Sequence, residues 1–440
     1  MEKIHQIVIV GGGAGGLELA TKLGNSLGKR NLAEIILIDA KKTHVWKPLL
    51  HEIAAGSLNP DKDELEYIAQ AHWHHFKFRF GRVNSINSKS KTISIEPTID
   101  TDGSEIIPKR KIYYDTLVMS VGSTVNDFNI EGTKDYAVTL DTQDQADKFH
   151  QKLHNSILRA QTQQGPVKPG QLEVVIVGAG ATGVELAAEL HKATREMTAY
   201  GLDRIKPDRD IKIHLMEASS RLLPALPRSI SASVEKELHK LNVKIFLDER
   251  VTKVTKNGIE TSSGKKILSS LVVWAAGIKA PKFLSEIKGI ETNSINQIKV
   301  NSTLQSTLNE DIFAFGDCAS CPIHPGSEES VPPRAQAAHQ QANLLFKSLS
   351  FRVLKPTKKL PKYIYKDYGS LVNLGKYSTV GNLMGSLLGG SMFVEGLIAR
   401  TMYLMLYQMH LSALHGNINV ILRLLSKAFS RRTEARVKLH

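Results

Sequence analysis

The stretch HQIVIVGGGAGGLELA, residues 5–20, decides how the rest of the chain is read. Ile7 to Val10 is a β-branched run suited to a strand buried on both faces. Gly11, Gly13 and Gly16 follow it in G-x-G-x-x-G register, and Leu17, Leu19 and Ala20 open a helix. The order has a physical logic: one glycine makes the tight turn, one lets the backbone approach a pyrophosphate, and one permits close helix–strand packing, with the anion at the helix N-terminus. A second strand, Glu34 to Ile38, ends on Asp39, 23 positions beyond Gly16, where an acid suits the hydroxyls of an adenosine ribose. These residues predict a dinucleotide site built on Gly11, Gly13, Ala14, Gly16 and Asp39.

The opening is repeated after a polar helical stretch, Thr142 to Gln164, and a Gly165–Gly170 linker. Leu172 to Val177 reads as a strand, and Gly178, Gly180 and Gly183 restore the glycine register, with Thr182 inside the loop. Val184 to His191 reads as the helix, and a strand from Lys212 to Met216 ends on Glu217. An acid there, with no arginine directly after it, favours an unphosphorylated ribose, hence NADH over NADPH; Arg221, four positions on, is the counter-signal. Strands at Lys244–Leu247 and Ile267–Trp274 follow, the second running into Ala275, Ala276 and Gly277, much as YDTLVMSVGS, residues 114–123, ends in Gly122 and Ser123. IFAFGDCAS, residues 312–320, reads as a strand ending in Gly316-Asp317. The expected class is α/β: two dinucleotide-binding, Rossmann-like domains, the second inserted in the first, with boundaries at 1–140 plus 295–365, 141–294, and a C-terminal region 366–440.

At 440 residues and 42% hydrophobic content the chain is long enough for two or three domains with a sizeable core. The formal net charge of +14 calls for an anionic partner. Nucleic acid is disfavoured, because no recognition-helix, zinc or RNA-binding signature accompanies the charge. Two cysteines exclude a disulfide framework and suit a reducing compartment. The first strand begins within the opening residues and leaves no room for a signal peptide, so a cytoplasmic start is expected. HWHHF, residues 72–76, invites a metal reading, but the neighbouring FKFRFGRV favours a strand and no ligand pair lies at the right spacing; no metal is expected. Short alternating strands, VNSIN and TISIEP, and an Asp102-Gly103 hairpin turn precede residue 114. Trp46, Lys47 and Pro48 lead into a helix from Leu49 to Ala55, as core under a loop or as an apolar segment along a cofactor.

Cys318 and Cys321 form a C-x-x-C, either a redox dithiol or a structural pair. Residues 331–345, VPPRAQAAHQQANLL, start a helix that sets Gln336, His339 and Gln340 on one face. Beyond it, 369–396 is glycine-rich and weakly amphipathic. LIARTMYLMLYQMHLSALHG then gives a helix that Arg400, Gln408 and His410 make a poor bilayer span. In INVILRLLSKAF, Ile418, Ile421, Leu422, Leu425 and Phe429 share one face. Arg423, Lys427, Arg431, Arg432, Arg436 and Lys438 stand against Glu434 alone, a basic amphipathic tail suited to an anionic lipid surface or to docking a second copy.

The paired glycine fingerprints, WKPLLHE, WAAGIKAP, GDCAS and PPRAQAAHQ together resemble the type II NADH:quinone oxidoreductases, single-subunit respiratory NADH dehydrogenases of the proteobacterial kind, over essentially the whole chain. The resemblance implies the two-dinucleotide-binding flavoprotein fold. It implies FAD at the first glycine loop, with Lys47, Gly122, Gly316, Asp317 and Ala337 completing its site, and NADH at the second, with Ala276 and Gly277. It implies a membrane quinone near Gln336, His339 and Gln340, and Glu185 near the reacting rings. In sequence Glu185 is an acid in the first turn of its helix. A homodimer is implied as well; the basic tail adds the expectation of a peripheral place on the cytoplasmic side of the inner membrane, and with no membrane-spanning helix expected there is no route for proton pumping. A soluble disulfide reductase using Cys318 and Cys321 is the alternative.

Overall fold

A computed structural model describes residues 4–58, 64–374, 379–385, 390–430 and 437. The chain forms two compact units: Met1–Trp46, Glu64–Thr124 and Ile278–Lys366 make one, and Lys47–Asp63, Val125–Gly277 and Asp367–His440 the other.

The first unit is built on a six-stranded sheet in the order Gln305–Ser306, Asn309–Ala314, Thr116–Met119, His5–Val10, Ala33–Asp39, Lys77–Phe80. Every pairing is parallel except the edge pair formed by Gln305–Ser306. Parallel strands covered on both faces demand continuous apolar runs, and Ile7, Val8, Ile9, Leu117, Val118 and Met119 are fully buried. The order reverses beside His5–Val10, so the carboxyl ends of that strand and of Thr116–Met119 flank a topological switch point. Helices Ala14–Leu23 and Ala335–Leu354 pack on one another in this unit. The alternating stretch at 83–113 forms an antiparallel sheet of Val83–Asn87, Thr92–Ile95 and Arg110–Tyr113, and Asp102-Gly103 lies between the paired strands Thr98–Ile99 and Glu105–Ile107.

The second unit repeats the plan: Ala137–Thr139, Leu271–Trp274, Glu173–Val177, Lys212–Met216, Lys244–Phe246, all parallel. Helix Gln143–Thr162 starts with a capping box in which Thr142 and Gln145 exchange side-chain and backbone bonds.

Three expectations need correction. HWHHF is not a strand: Tyr67–Trp73 is a helix that buries Tyr67, Gln70 and Ala71 at helical spacing, His75 turns the chain at φ +55°, and the strand starts only at Lys77. Ile267–Trp274 is not one strand. Ser269 accepts the Leu271 N–H on its hydroxyl and separates Lys266–Leu268, in a small antiparallel sheet, from the core strand Leu271–Trp274. The glycine-rich stretch holds an antiparallel sheet of Gly369–Asn373, Thr379–Gly385 and Gly390–Glu395, ahead of helices Gly396–His415 and Asn417–Ser430.

Candidate active site

The first glycine loop is held by its own side chains. A Cβ on Gly16 would stand 1.9 Å from the Gly11 carbonyl oxygen, and one on Gly11, at φ +101°, would stand 2.4 Å from the Ser120 carbonyl oxygen; the turn therefore admits only glycine at both. The Gly12 N–H donates to Asp39 Oδ2 at 2.6 Å, while its carbonyl accepts from Tyr67 Oη at 2.7 Å and from His44 Nδ1 at 2.9 Å. Gly13 is exposed, with nothing within 4 Å of an added Cβ, and it caps a helix whose first turn carries no acid. Uncapped helix N–H groups beside open backbone form an anion site.

The second loop reproduces this geometry with different groups. Gly183 would bring a Cβ within 2.0 Å of the Gly178 carbonyl oxygen, and Gly178 packs on Ala275 and Ala276 as Gly11 packs on Ser120. The Ala179 N–H donates to Glu217 Oε2 at 2.8 Å, and the Ala179 carbonyl accepts the Leu223 N–H at 2.9 Å, taking the place of Tyr67 and His44. Gly180 is open, no acid follows it in the first helical turn, and Thr182 is exposed. The Gly277 carbonyl accepts the Asn126 N–H.

In the first unit, Asp317 accepts from the Ser123 hydroxyl at 2.9 Å, and its carbonyl accepts the Gln297 amide at 3.0 Å. The Gly316 N–H donates to Gln341 Oε1, tying the Gly-Asp turn to helix Ala335–Leu354. On that helix Ala337 is buried and Gln336 half-buried. Gln340 bonds both backbone groups of Lys366, donating at 2.7 Å and accepting at 3.1 Å. His339 Nδ1 lies 2.7 Å from Glu18 Oε2. Gly122, at φ +68°, has open space about it.

In the second unit, Glu185 is the fifth residue of helix Ala181–Ala199, outside its first turn; that expectation is corrected, and the helix dipole is weaker there. Its Oε1 accepts the Asn373 N–H at 3.0 Å, and His51 Nδ1 stands 3.7 Å from its Oε2. Burial pushes the Glu185 carboxyl up to about 8, opposed by the Asn373 bond and reinforced by Glu52. Burial lowers the His51 imidazole to about 4. At neutral pH the pair therefore carries one proton, on Glu185. The buried Tyr403 phenol is also raised, by burial and then by Glu185. Lys47 pairs with Asp141 at 3.1 Å.

Residues 5–342 match the pyridine nucleotide-disulphide oxidoreductase family. A type II NADH:quinone oxidoreductase of Haemophilus influenzae is 40% identical over 99% of this chain and 100% of its own length. The chain belongs to the type II NADH:quinone oxidoreductase family. A Staphylococcus aureus type II NADH:quinone oxidoreductase is 27% identical over 88% of this chain and 91% of its own. Among solved structures, NDH2 of Plasmodium falciparum in complex with NADH has the same fold, with TM-score 0.81 at 21% identity over 99% of this chain and 100% of that one. The sulfide:quinone oxidoreductase of Aquifex aeolicus shares it at TM-score 0.72 and 17% identity, over 98% and 96%.

For a type II NADH:quinone oxidoreductase, the cysteine pair reads as structure. Cys318 and Cys321 are free, fully buried thiols, and burial pushes both up to about 12, so neither supplies a thiolate at neutral pH. Sequence reasoning missed His44, His51, Tyr67 and Glu18. One signal was available for Glu18: it stands two residues past the last glycine of its loop, as Glu185 does in the repeat.

Proposed function

We propose that this chain transfers a hydride from NADH to a bound FAD and passes two electrons on to a membrane quinone, without pumping protons. The observation that carries this reading is the duplicated acid-clamped glycine loop, Asp39 on Gly12 and Glu217 on Ala179, in a chain alignable end to end with a named family member. The residues at the first loop fit FAD: the open backbone at Gly13, the uncapped helix at Ala14 and the Gly16 close approach suit a pyrophosphate, and Asp39 suits a ribose. Gly122, Gly316, Asp317 and Ala337 complete this site in our reading, whereas Lys47 lies in the second unit, paired with Asp141. When bound, the flavin supplies the two-electron chemistry.

The chain's own residues bind, orient and hold protons. Gly178, Gly180, Thr182 and Gly183 take the NADH pyrophosphate, Glu217 its ribose, and Ala276 and Gly277 complete the NADH site. Orientation of the two rings supplies most of the acceleration. Glu185, protonated at neutral pH beside a neutral His51, holds a proton on the helix that the second glycine loop opens. Gln336, His339 and Gln340 receive the quinone headgroup.

The membrane contact is the C-terminal helix pair. Among the described residues no helix is long and apolar enough to cross a membrane. Helices Gly396–His415 and Asn417–Ser430 nonetheless expose Met405, Met409, Ile418, Ile421 and Leu422, with Ile418 75% exposed, which suits insertion into an interface. Arg431, Arg432, Glu434, Arg436 and Lys438 lie outside the described residues, as do the side chains of Arg423, Leu425, Lys427 and Phe429. A peripheral homodimer on the cytoplasmic face of the inner membrane is the arrangement we infer.

Anaerobic stopped-flow on the purified holoprotein tests the reading. NADH should bleach the flavin absorbance, and a short-chain ubiquinone should restore it promptly. Bleaching without restoration would remove the quinone from the scheme while leaving both nucleotide sites.

A further inference from the structure

Glu18 and Glu185 hold equivalent places in the two repeats, and Glu18 is the more deeply buried, its side chain only 1% exposed. A carboxylate that deep requires charged or hydrogen-bonded partners. Its partners come from two i,i+4 pairs on facing helices: Glu18 and Lys22 on Ala14–Leu23, His339 and Asn343 on Ala335–Leu354. The four side chains close a ring. Lys22 Nζ donates to Glu18 Oε1 at 2.5 Å and to Asn343 Oδ1; Asn343 Nδ2 lies 3.2 Å from His339 Nε2; His339 Nδ1 lies 2.7 Å from Glu18 Oε2.

Only one assignment of hydrogens satisfies that ring. The ammonium of Lys22 takes the Asn343 oxygen, so the Asn343 amide nitrogen must donate to His339 Nε2, which is then unprotonated. Nδ1 carries the imidazole hydrogen and gives it to Glu18.

We propose that Glu18 is a positioning residue for quinone reduction, holding His339 through this ring so that Nε2 is the one atom at which the imidazole exchanges a proton. The proposal rests on the placing of His339 at the quinone end of the reaction. Asn343 is the loosest corner, since its amide nitrogen also reaches the His339 carbonyl oxygen at 3.0 Å, and a proton arriving at Nε2 displaces it. The imidazolium so formed keeps its bond to Glu18, as a buried carboxylate steadies the histidine of a catalytic triad. The His339 side chain is 44% exposed, so water supplies the proton. A reduced quinone oxygen receives it, the electrons having come from the reduced flavin, and the imidazole returns to neutral. Of the other charged groups facing this helix, Asp311 pairs with Arg352 near its far end and Asp317 is engaged by Ser123, leaving Glu18 and Lys22 as the charges bonded within the ring.

The test separates the two half-reactions in Glu18→Gln, His339→Gln and the double variant of the full-length holoprotein. Glu18→Gln should leave flavin bleaching by NADH unchanged and slow recovery on short-chain ubiquinone by roughly 10- to 100-fold, within the range of acid–base effects. The double variant should be no slower than His339→Gln. The imidazole ¹⁵N resonances that vanish in His339→Gln should show one tautomer in the parent and a mixture in Glu18→Gln. If Glu18→Gln loses its flavin, Lys22→Gln replaces it: freeing Asn343 should mix the tautomers and slow recovery in the same way. A slow His339→Gln beside a normal Glu18→Gln overturns the role of Glu18 alone. A normal His339→Gln overturns the placing of His339, and the proposal with it. Additive losses in the double variant, or an unchanged tautomer, would make Glu18 a packing residue and also overturn the proposal.

Discussion

At the residue scale the chemistry is decided by burial. Glu185 binds its proton more tightly folded than unfolded, since burial raises it from 4.5 to about 8. Between those values the native state holds more protons than the unfolded chain, so stability falls as pH rises through that window and levels off above it. The penalty at high pH is about 5 kcal/mol at most. Glu185→Gln should therefore flatten the fall in Tm between about pH 5 and pH 9; a Tm profile parallel to the parent's would show that the carboxyl is not buried as described. His51 works in the opposite sense. Its imidazole, lowered to about 4, loses stability as pH drops below 6.5. For the cysteines, a thiol-reactive chromophore should not label the native protein, and Cys318→Ser with Cys321→Ser should cost about 1–3 kcal/mol of stability while leaving NADH:quinone turnover in place. Loss of turnover with the fold intact would revive the dithiol.

At the element scale the two glycine loops are the same device used twice. Each close approach is backbone to backbone, at Gly16 on Gly11 and at Gly183 on Gly178, so no side chain can move aside for a methyl group. Gly16→Ala should thus yield protein depleted of flavin on purification, whereas Gly183→Ala should keep its flavin and raise KM for NADH by tenfold or more, about 1.4 kcal/mol. Equal flavin loss in both would deny the division of labour between the loops. The strands and helices of the repeat were legible because strand, glycine register and terminal acid are contiguous. The histidine stretch at 72–76 was not: Tyr67, Gln70 and Ala71 are buried by contacts distant in sequence, and their helical period outweighed a local alternation.

At the scale of the whole molecule, the sequence of the C-terminal tail carries part of the excess positive charge, and the helices leading into it expose Met405, Met409, Ile418, Ile421 and Leu422. Removing residues 417–440 should release the protein from anionic vesicles, and the parent's binding should weaken as salt rises, because surface attraction is screened within about 10 Å at 0.1 M. Undiminished sedimentation of the truncated protein with those vesicles would place the membrane contact elsewhere. The three-stranded sheet at 369–395 was invisible to pattern reading, because glycine weakens the alternation that marks a strand.

The sequence by itself determined the doubly repeated α/β plan, the two glycine loops with the strand-end acids Asp39 and Glu217, and the family. All of these are carried by short runs whose spacing is dictated by turn geometry and by a phosphate's need for backbone N–H groups. What only the tertiary structure decided lies in pairings between residues far apart: Tyr67 and His44 on Gly12, His51 beside Glu185, and Glu18 on His339 across more than 300 positions. A buried polar side chain announces nothing locally, because its energy depends on the partner that the fold brings to it and on the water that the fold removes.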